Sequence, residues 1–544
     1  MRHTSPAPSR VYPLMSAPAD VVPDDVIPAG ALPPLRWREM PPPVSIWRMV
    51  GPSVILAGLA LGSGEYVLWP FITFKSQFVF FWACLIAVVT QYFLNLEIMR
   101  WTLATGESTL IGLQRMSRLV APVFLALNII PWMLPAWAQG CSQILGWLTI
   151  GPTFDPGTGQ IVPGQYDSLI SIGTLLMCGI ILTSGPVIYE TVEKVQLGLV
   201  ATILIIVVVL AAWLVWLRPD ALAAQWTAVF TLGSPQYLPK FDEALTPIAL
   251  LGALAFAGAG GTMNLAQANY IKDKGYAMGV HIGRLTSPFT GNEEAISETG
   301  FHFPHTAENL ARWRQWWRSA CIEHFVSFLL TCIVCLALLT VVSYIVFYDA
   351  AGNLQVDPKP YKEGLGFVYA EALKLGELIG PAARIAFLVM GVAILFTTEF
   401  GVLDASSRIS TDLVKVAWLR TNEKWSEGRL YFWFLWGEIF LAISILIMEY
   451  VIKTYTENPT FSFGALSLFK LTAAMNGGVM FLYAVLLFFM NSRRLPPEIR
   501  IPGWRLAILG WTILFFGFFT AWAGYDGVKG IVAKFQSAAV TPAK

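Results

Sequence analysis

Charge is scarce in this sequence. Asp, Glu, Lys and Arg make up 13% of its 544 residues, about half the share of a soluble domain, which excludes an ordinary water-soluble protein. The formal net charge of +1, spread through short loops, offers nothing to nucleic acid or to an acidic partner. Cysteine is scarce too. Cys84, Cys141, Cys178, Cys321, Cys332 and Cys335 all lie within or beside apolar runs, so a disulfide framework is excluded. Of the five histidines, His302 and His305 stand together in His302-Phe303-Pro304-His305, which reads as a polar loop because further metal ligands are missing nearby. Nucleophile motifs, phosphate loops and HExxH-type metal motifs are absent. No catalytic residue or cofactor is expected, and a non-transporting membrane sensor is kept only as a second alternative to transport.

What the chain has in abundance is apolar sequence: 56% of residues are hydrophobic, with 35 Phe and 21 Trp. Crossing a bilayer takes roughly 20 apolar residues, and eleven segments qualify, near 49–71, 78–101, 119–149, 168–185, 190–217, 246–271, 320–347, 380–403, 430–452, 464–490 and 504–524. This predicts an all-α polytopic membrane protein. Placing the N-terminus in the cytoplasm puts the greater share of Lys and Arg inside, as the positive-inside rule requires; a bacterial inner membrane is the expected location. Residues 1–47, rich in Pro and Ala, are expected to be a disordered cytoplasmic tail, and 526–544 a C-terminal tail. The run from Thr306 to Arg318 predicts a helix capped by Thr306, with Trp313, Trp316 and Trp317 at the headgroup layer.

Two of the apolar segments are broken by glycine at matching places. The first carries Gly62-Ser63-Gly64-Glu65 and the sixth carries Gly258-Ala259-Gly260-Gly261-Thr262, with four intact segments between them. Unwound backbone at membrane depth must line a cavity or be buried in protein. Discontinuous helices in corresponding positions of two halves point to a secondary transporter with its site at the midplane. The halves are 48–217 and 246–490, inside a transporter domain spanning 48–525, with 504–524 as an extra helix.

These segments resemble the Nramp family of divalent metal transporters over most of residues 48–525. Gly51-Pro52 precedes the first break as the family's Gly-Pro precedes its Asp-Pro-Gly-Asn. Thr90-Gln91-Tyr92 and Ala104-Thr105-Gly106 are similar to its second-span pattern, and Gly261-Thr262-Met263-Asn264-Leu265 stands where the family has Met-Pro-His-Asn-Leu. The resemblance implies a five-plus-five inverted repeat of the LeuT type working by alternating access. It also implies a site at the two breaks, where the family's Asp, Asn and Met ligands are replaced here by Gly62, Glu65 and Gly261. The ligand set left by those replacements is a carboxylate with carbonyls, suited to a hard ion such as magnesium or manganese, although Met263 is placed to swing inward. At the family's third-span proton path this chain has Gly140 and Gln143, neither of which titrates, so the usual proton route is not expected.

The first expectation is therefore a small-cation transporter with Glu65 as the metal-binding carboxylate. Gly62, Gly260, Gly261, Thr262, Met263 and Asn264 would complete the substrate site. Thr397, Thr398 and Glu399 in the eighth span are candidates for a second ion site or gate. Lys470 either faces the cavity, pairs with Glu65, or snorkels to the outer surface. The alternative keeps the fold and carries an amino acid or organic amine, with Gln139, Gln143 and Lys470 addressing its polar ends. The partners implied are a small ion or solute and the lipid bilayer, with no nucleic acid.

Overall fold

The computed structural model describes residues 20–232, 245–288, 299–361, 364–455 and 464–540. The helices, in chain order, are α1 (Ile46–Met49), α2 (Pro52–Ala60), α3 (Trp69–Ser76), α4 (Phe81–Thr105), α5 (Thr109–Met116), α6 (Val120–Trp132), α7 (Ala136–Thr149), α8 (Asp167–Ser184), α9 (Ile188–Leu217) and α10 (Pro219–Phe230). There follow α11 (Pro247–Ala255), α12 (Gly261–Lys274), α13 (Ala307–His324), α14 (Thr331–Phe347), α15 (Gly366–Leu378), α16 (Pro381–Trp418), α17 (Glu427–Tyr455), α18 (Ala465–Arg493) and α19 (Gly503–Val540). Ten helical segments among the described residues are long and apolar enough to cross a membrane. The eleventh expected span is the pair α11 and α12, each too short to cross alone because the glycine break divides them.

The packing shows the repeat. α2 lies on α9 as α11 lies on α18, and α3 lies on α14 as α12 lies on α4. Each half of the first broken span thus has a neighbour equivalent, by the repeat, to that of its counterpart half of the sixth span. α19 stands outside the two repeats against α4, α11 and α18. It continues as helix to Val540, beyond the 504–524 expected, so the start of the expected C-terminal tail is helical.

The N-terminal region also differs from expectation. Residues 1–19 lie outside the described residues, but from Asp20 onward the segment is packed. Val22, Ile27, Leu35 and Met40 are buried, and strand β1 (Arg36–Trp37) pairs in parallel with β4 (Phe301–His302). A short hairpin of β2 (Thr153–Phe154) and β3 (Ile161–Val162) follows α7. Four buried apolar side chains offset the ordering entropy that the Pro-rich composition suggested would prevail. The segment is further held by Arg115, whose Nη1 donates to the carbonyls of Ala29 and Pro33 at 3.1 and 2.7 Å. Thr306 caps α13 as expected, accepting from Asn309 N–H at 3.2 Å. Trp313 and Trp316 are buried rather than at the headgroups: Trp316 Nε1 donates to Pro41 O at 2.9 Å, and Trp313 stacks on Phe303 and Trp317.

Candidate functional site

Three helix breaks meet at the centre of the bundle. In the first, α2 stops at Ala60 and the chain restarts through a π-helical turn, Gly64–Leu68, before α3. The second lies between α11 and α12, where Gly260 and Gly261 have φ of +71° and +55°, a left-handed conformation that glycine adopts without strain. The third lies between α6 and α7, where Pro131 and Pro135 bracket the interruption.

A cavity of about 10 Å³, the room a single water needs, closes where the breaks converge. Leu59, Ala60, Ser63 and Gly64 line it from the first break. Phe256, Gly258, Ala259 and Met263 come from the second, Trp132 and Trp137 from the third, and Thr398 and Val402 from α16. None of these side chains is charged. Ser63 Oγ is buried without a hydrogen-bond partner, an arrangement that in a low-dielectric interior calls for a ligand or water. Trp132, Trp137 and Phe256 form an aromatic wall, with centroids 5.3 Å apart for the two indoles and 6.1 and 5.9 Å from each indole to Phe256.

Backbone groups released by the breaks are satisfied by side chains from neighbouring helices. Gln91 of α4 is the main one at the second break. Its Nε2 donates to the carbonyls of Leu254 and Ala255 at 3.2 and 2.9 Å, and its Oε1 accepts from Gly260 N–H at 3.4 Å. Glu399 does the same for the third break, its Oε2 accepting from Ala138 N–H at 3.2 Å at the start of α7, where a carboxylate is favoured by the helix dipole.

Several expected site residues take structural roles instead. Glu65 does not line the cavity. Its Oε2 accepts from Gly62 N–H at 3.3 Å, the reach-back of a capping-box glutamate three residues into a helix. Its Oε1 is buried without a partner. Thr262 accepts from Trp132 Nε1 at 2.7 Å and donates to Asn128 Oδ1 at 2.8 Å, so it holds the aromatic wall from behind. Asn264 Nδ2 donates to Tyr483 Oη at 3.1 Å. Thr397 is engaged by the Gln196 amide through both its hydroxyl and its carbonyl, whereas Thr398 lines the cavity and Glu399 caps α7. Lys470 neither enters the cavity nor pairs with Glu65; its Nζ sits 4.3 Å from the Phe71 ring centroid. Gly140 packs against Leu395 and Phe469. Gln143 lines a separate small pocket with Gln139, Asp167 and Glu449. Met263, by contrast, lies in the cavity wall itself, as its candidacy required.

Sequence reasoning missed Asn128, Trp132, Trp137 and Phe256. The paired prolines at 131 and 135 were the signal for a third break, and the aromatic residues beside it follow from that. Among the described residues no three His, Cys, Asp or Glu side chains gather as a metal cluster, so an ion in the cavity would rest on hydroxyls, carbonyls and the Met263 thioether.

At one end of the bundle, α12 is tied to α16 by buried charges. Arg408 meets Asp404 through Nε at 2.9 Å and also pairs with Asp273, while Tyr431 Oη donates to Asp404 at 2.8 Å. Lys272 Nζ lies 3.3 Å from Asp412. These pairs hold the second half of the sixth span against the eighth.

No family model matches the sequence, and no curated protein matches it. Three solved structures of mutants of the Eremococcus coleocola manganese transporter match at TM-scores of 0.62 and 14% identity. One alignment covers 95% of this chain and 92% of that one; the other two cover 91% and 90%. At this identity the likeness establishes architecture alone: this chain shares the all-α, inverted-repeat membrane fold of those structures, the fold that its sequence resemblance implied.

Proposed function

We propose that the chain is a secondary transporter that moves a small divalent cation, manganese or a similar ion, by alternating access through the cavity at the three breaks. The observation that carries this reading is the buried, unpartnered hydroxyl of Ser63, a residue that lines a small uncharged cavity together with Met263. Carbonyl and hydroxyl oxygens suit manganese and magnesium alike, whereas a thioether favours the softer of the two. Ligand chemistry in the cavity therefore shifts the expected preference from magnesium toward manganese. Glu65, the acid of the first break, would act on the ion from behind the cavity wall, through the Gly62 amide that it holds. Gly140 and Gln143 give the third span no titrating group at the family's proton positions, so flux is proposed to run without that path. The inside placement of the N-terminus rests on the charge distribution, and the bacterial inner membrane on the family resemblance.

The test is calorimetric titration of purified protein with manganese, magnesium and calcium, run beside Met263→Leu and Glu65→Gln. Manganese is expected to bind most tightly, with the preference narrowed in Met263→Leu and all affinities lowered in Glu65→Gln. Absence of heat with every metal, in folded protein, would overturn the reading. A second reading, an organic amine, is favoured by the wall of Trp132, Trp137 and Phe256, whose faces attract ammonium groups. Saturable uptake of an amine into metal-free liposomes would select it.

A further inference from the structure

A second, larger recess lies far from the cavity, where the end of α4, the helix α13 and the connection from α18 to α19 come together. It has a volume of about 740 Å³ and is lined by Arg100, Trp317, Ser492, Arg500, Trp504 and Arg505, with Glu498 at its side. The guanidinium carbons of Arg100 and Arg505 lie 4.1 and 5.0 Å from the Trp317 ring centroid, and Arg505 also lies 4.9 Å from Trp504. Glu97 fixes both arginines. It accepts from Arg100 Nε at 2.7 Å and Nη2 at 3.0 Å, and from Arg505 Nη1 at 3.4 Å. One carboxylate thus serves two guanidiniums, and Arg500 makes no ion pair among the described residues. Glu498 is turned toward His305, 3.6 Å away. Three guanidiniums against the carboxylates of Glu97 and Glu498 leave the recess net positive, with Arg100 and Arg505 held as stacked plates and Arg500 beside them without an ion pair among the described residues, donors that match a phosphate.

What extends from the recess identifies the kind of phosphate. Trp504 is 58% exposed, and below it on α19 run Trp511, Leu514 and Phe518, exposed by 48, 71 and 62%. Their spacing of seven, three and four residues keeps them on one face of the helix. A basic recess at the headgroup level, opening onto an apolar stripe that descends into the bilayer, has the two halves of a lipid site. We propose that this recess binds the phosphate of an anionic phospholipid, with an acyl chain along the Trp511–Phe518 face. The lipid would fasten α19, which lies outside the two repeats, to α4 and α13.

Native mass spectrometry of protein exchanged into nanodiscs of equal phosphatidylglycerol and phosphatidylcholine tests this. The wild-type chain is expected to retain phosphatidylglycerol about tenfold over phosphatidylcholine, and Arg500→Gln with Arg505→Gln to abolish the preference. Arg500→Gln alone breaks no ion pair, so it reports on binding even if the double variant unfolds; it is expected to weaken retention severalfold. Arg384→Gln, stacked on Tyr369 elsewhere in the structure, serves as the control and should retain lipid like the wild type. Equal retention of both lipids, or an unchanged preference in both Arg500 variants, would overturn the proposal. Displacement of the lipid by glycerol phosphate at comparable concentration would do so as well, by showing that a soluble phosphate is the ligand.

Discussion

Replacing Gly64 by alanine probes the central crossing of the two broken spans. A Cβ built on Gly64 would stand 1.6 Å from the carbonyl oxygen of Phe256 and 2.6 Å from its carbon. The obstruction is main chain, so no rotamer change relieves it, and the carbonyl must retreat by nearly two ångströms to reach ordinary contact near 3.4 Å. Phe256 would move with it, and its ring is stacked on Trp132 at an interplanar angle of 10°. Overpacking of a well-filled interior costs about 1–3 kcal/mol and sometimes more; a fixed backbone obstruction puts this case near the upper figure. About 3 kcal/mol corresponds to roughly a hundredfold loss in the population of the closed state. Manganese affinity, measured by calorimetry, should fall by about that factor, and acrylamide should quench tryptophan fluorescence more effectively as the aromatic wall opens. Gly198→Ala is the matched control, because nothing lies within 4 Å of its added Cβ on α9 and alanine is the better helix former. If Gly64→Ala kept wild-type affinity, thermal stability and quenching, the close crossing would be refuted.

Thr262→Val should leave Trp132 Nε1 and Asn128 Oδ1 without their shared partner and destabilise by about 1–3 kcal/mol, read as a lowered thermal midpoint that Thr262→Ser restores. Arg408→Ala strands Asp404 and Asp273 in the interior and should cost about 3–5 kcal/mol, seen as faster hydrogen exchange at the end of α12. Burial pushes the His302 imidazole, in the loop after α12, down to about 3, whereas the unfolded value is about 6.5. The unfolded form therefore binds a proton first as pH falls, and the β1–β4 pairing should weaken by up to about 1.4 kcal/mol per pH unit below 6.5. Limited proteolysis of residues 20–45 between pH 7 and 5 should show this, and His302→Gln should reduce the slope, leaving the part due to the neighbouring His305, which burial also shifts down. Lys470→Met should leave manganese affinity unchanged, since that ammonium lies over Phe71 outside the cavity; a shift of tenfold or more would return it to the site.

The two expected breaks were legible because runs such as Gly258-Ala259-Gly260-Gly261 have no purpose inside a continuous membrane helix. The repeat then followed from their spacing. Direction was not legible. Glu65 directly follows two cavity-lining residues, Ser63 and Gly64, yet its carboxylate turns back to Gly62 N–H, a choice set by the π-helical turn and the unsatisfied amide beside it. Met263 reaches the cavity because the left-handed pair Gly260 and Gly261 rotates the start of α12, which no linear alignment registers. Glu399 and Thr397 looked like ion ligands by residue type, but α7 and Gln196 had prior claims on their oxygens. The packed stretch after Asp20 escaped notice because its apolar residues are isolated among prolines, without helical or strand periodicity. Their burial depends on surfaces supplied by distant parts of the chain.

That last dependence sets an order of events during biosynthesis. Arg36 emerges from the ribosome long before its pairing partner Phe301, which follows 265 residues later. At about 5–20 residues per second the wait is roughly 13–53 s. During it the first five spans can enter the membrane, and Arg115 is available to the carbonyls of Ala29 and Pro33, while Arg36 and Trp37 have no strand to join. The segment can thus dock on the first repeat early, but its strand pairing waits for the second, and closure of that pairing marks the point at which the chain beyond the second break has reached the first repeat.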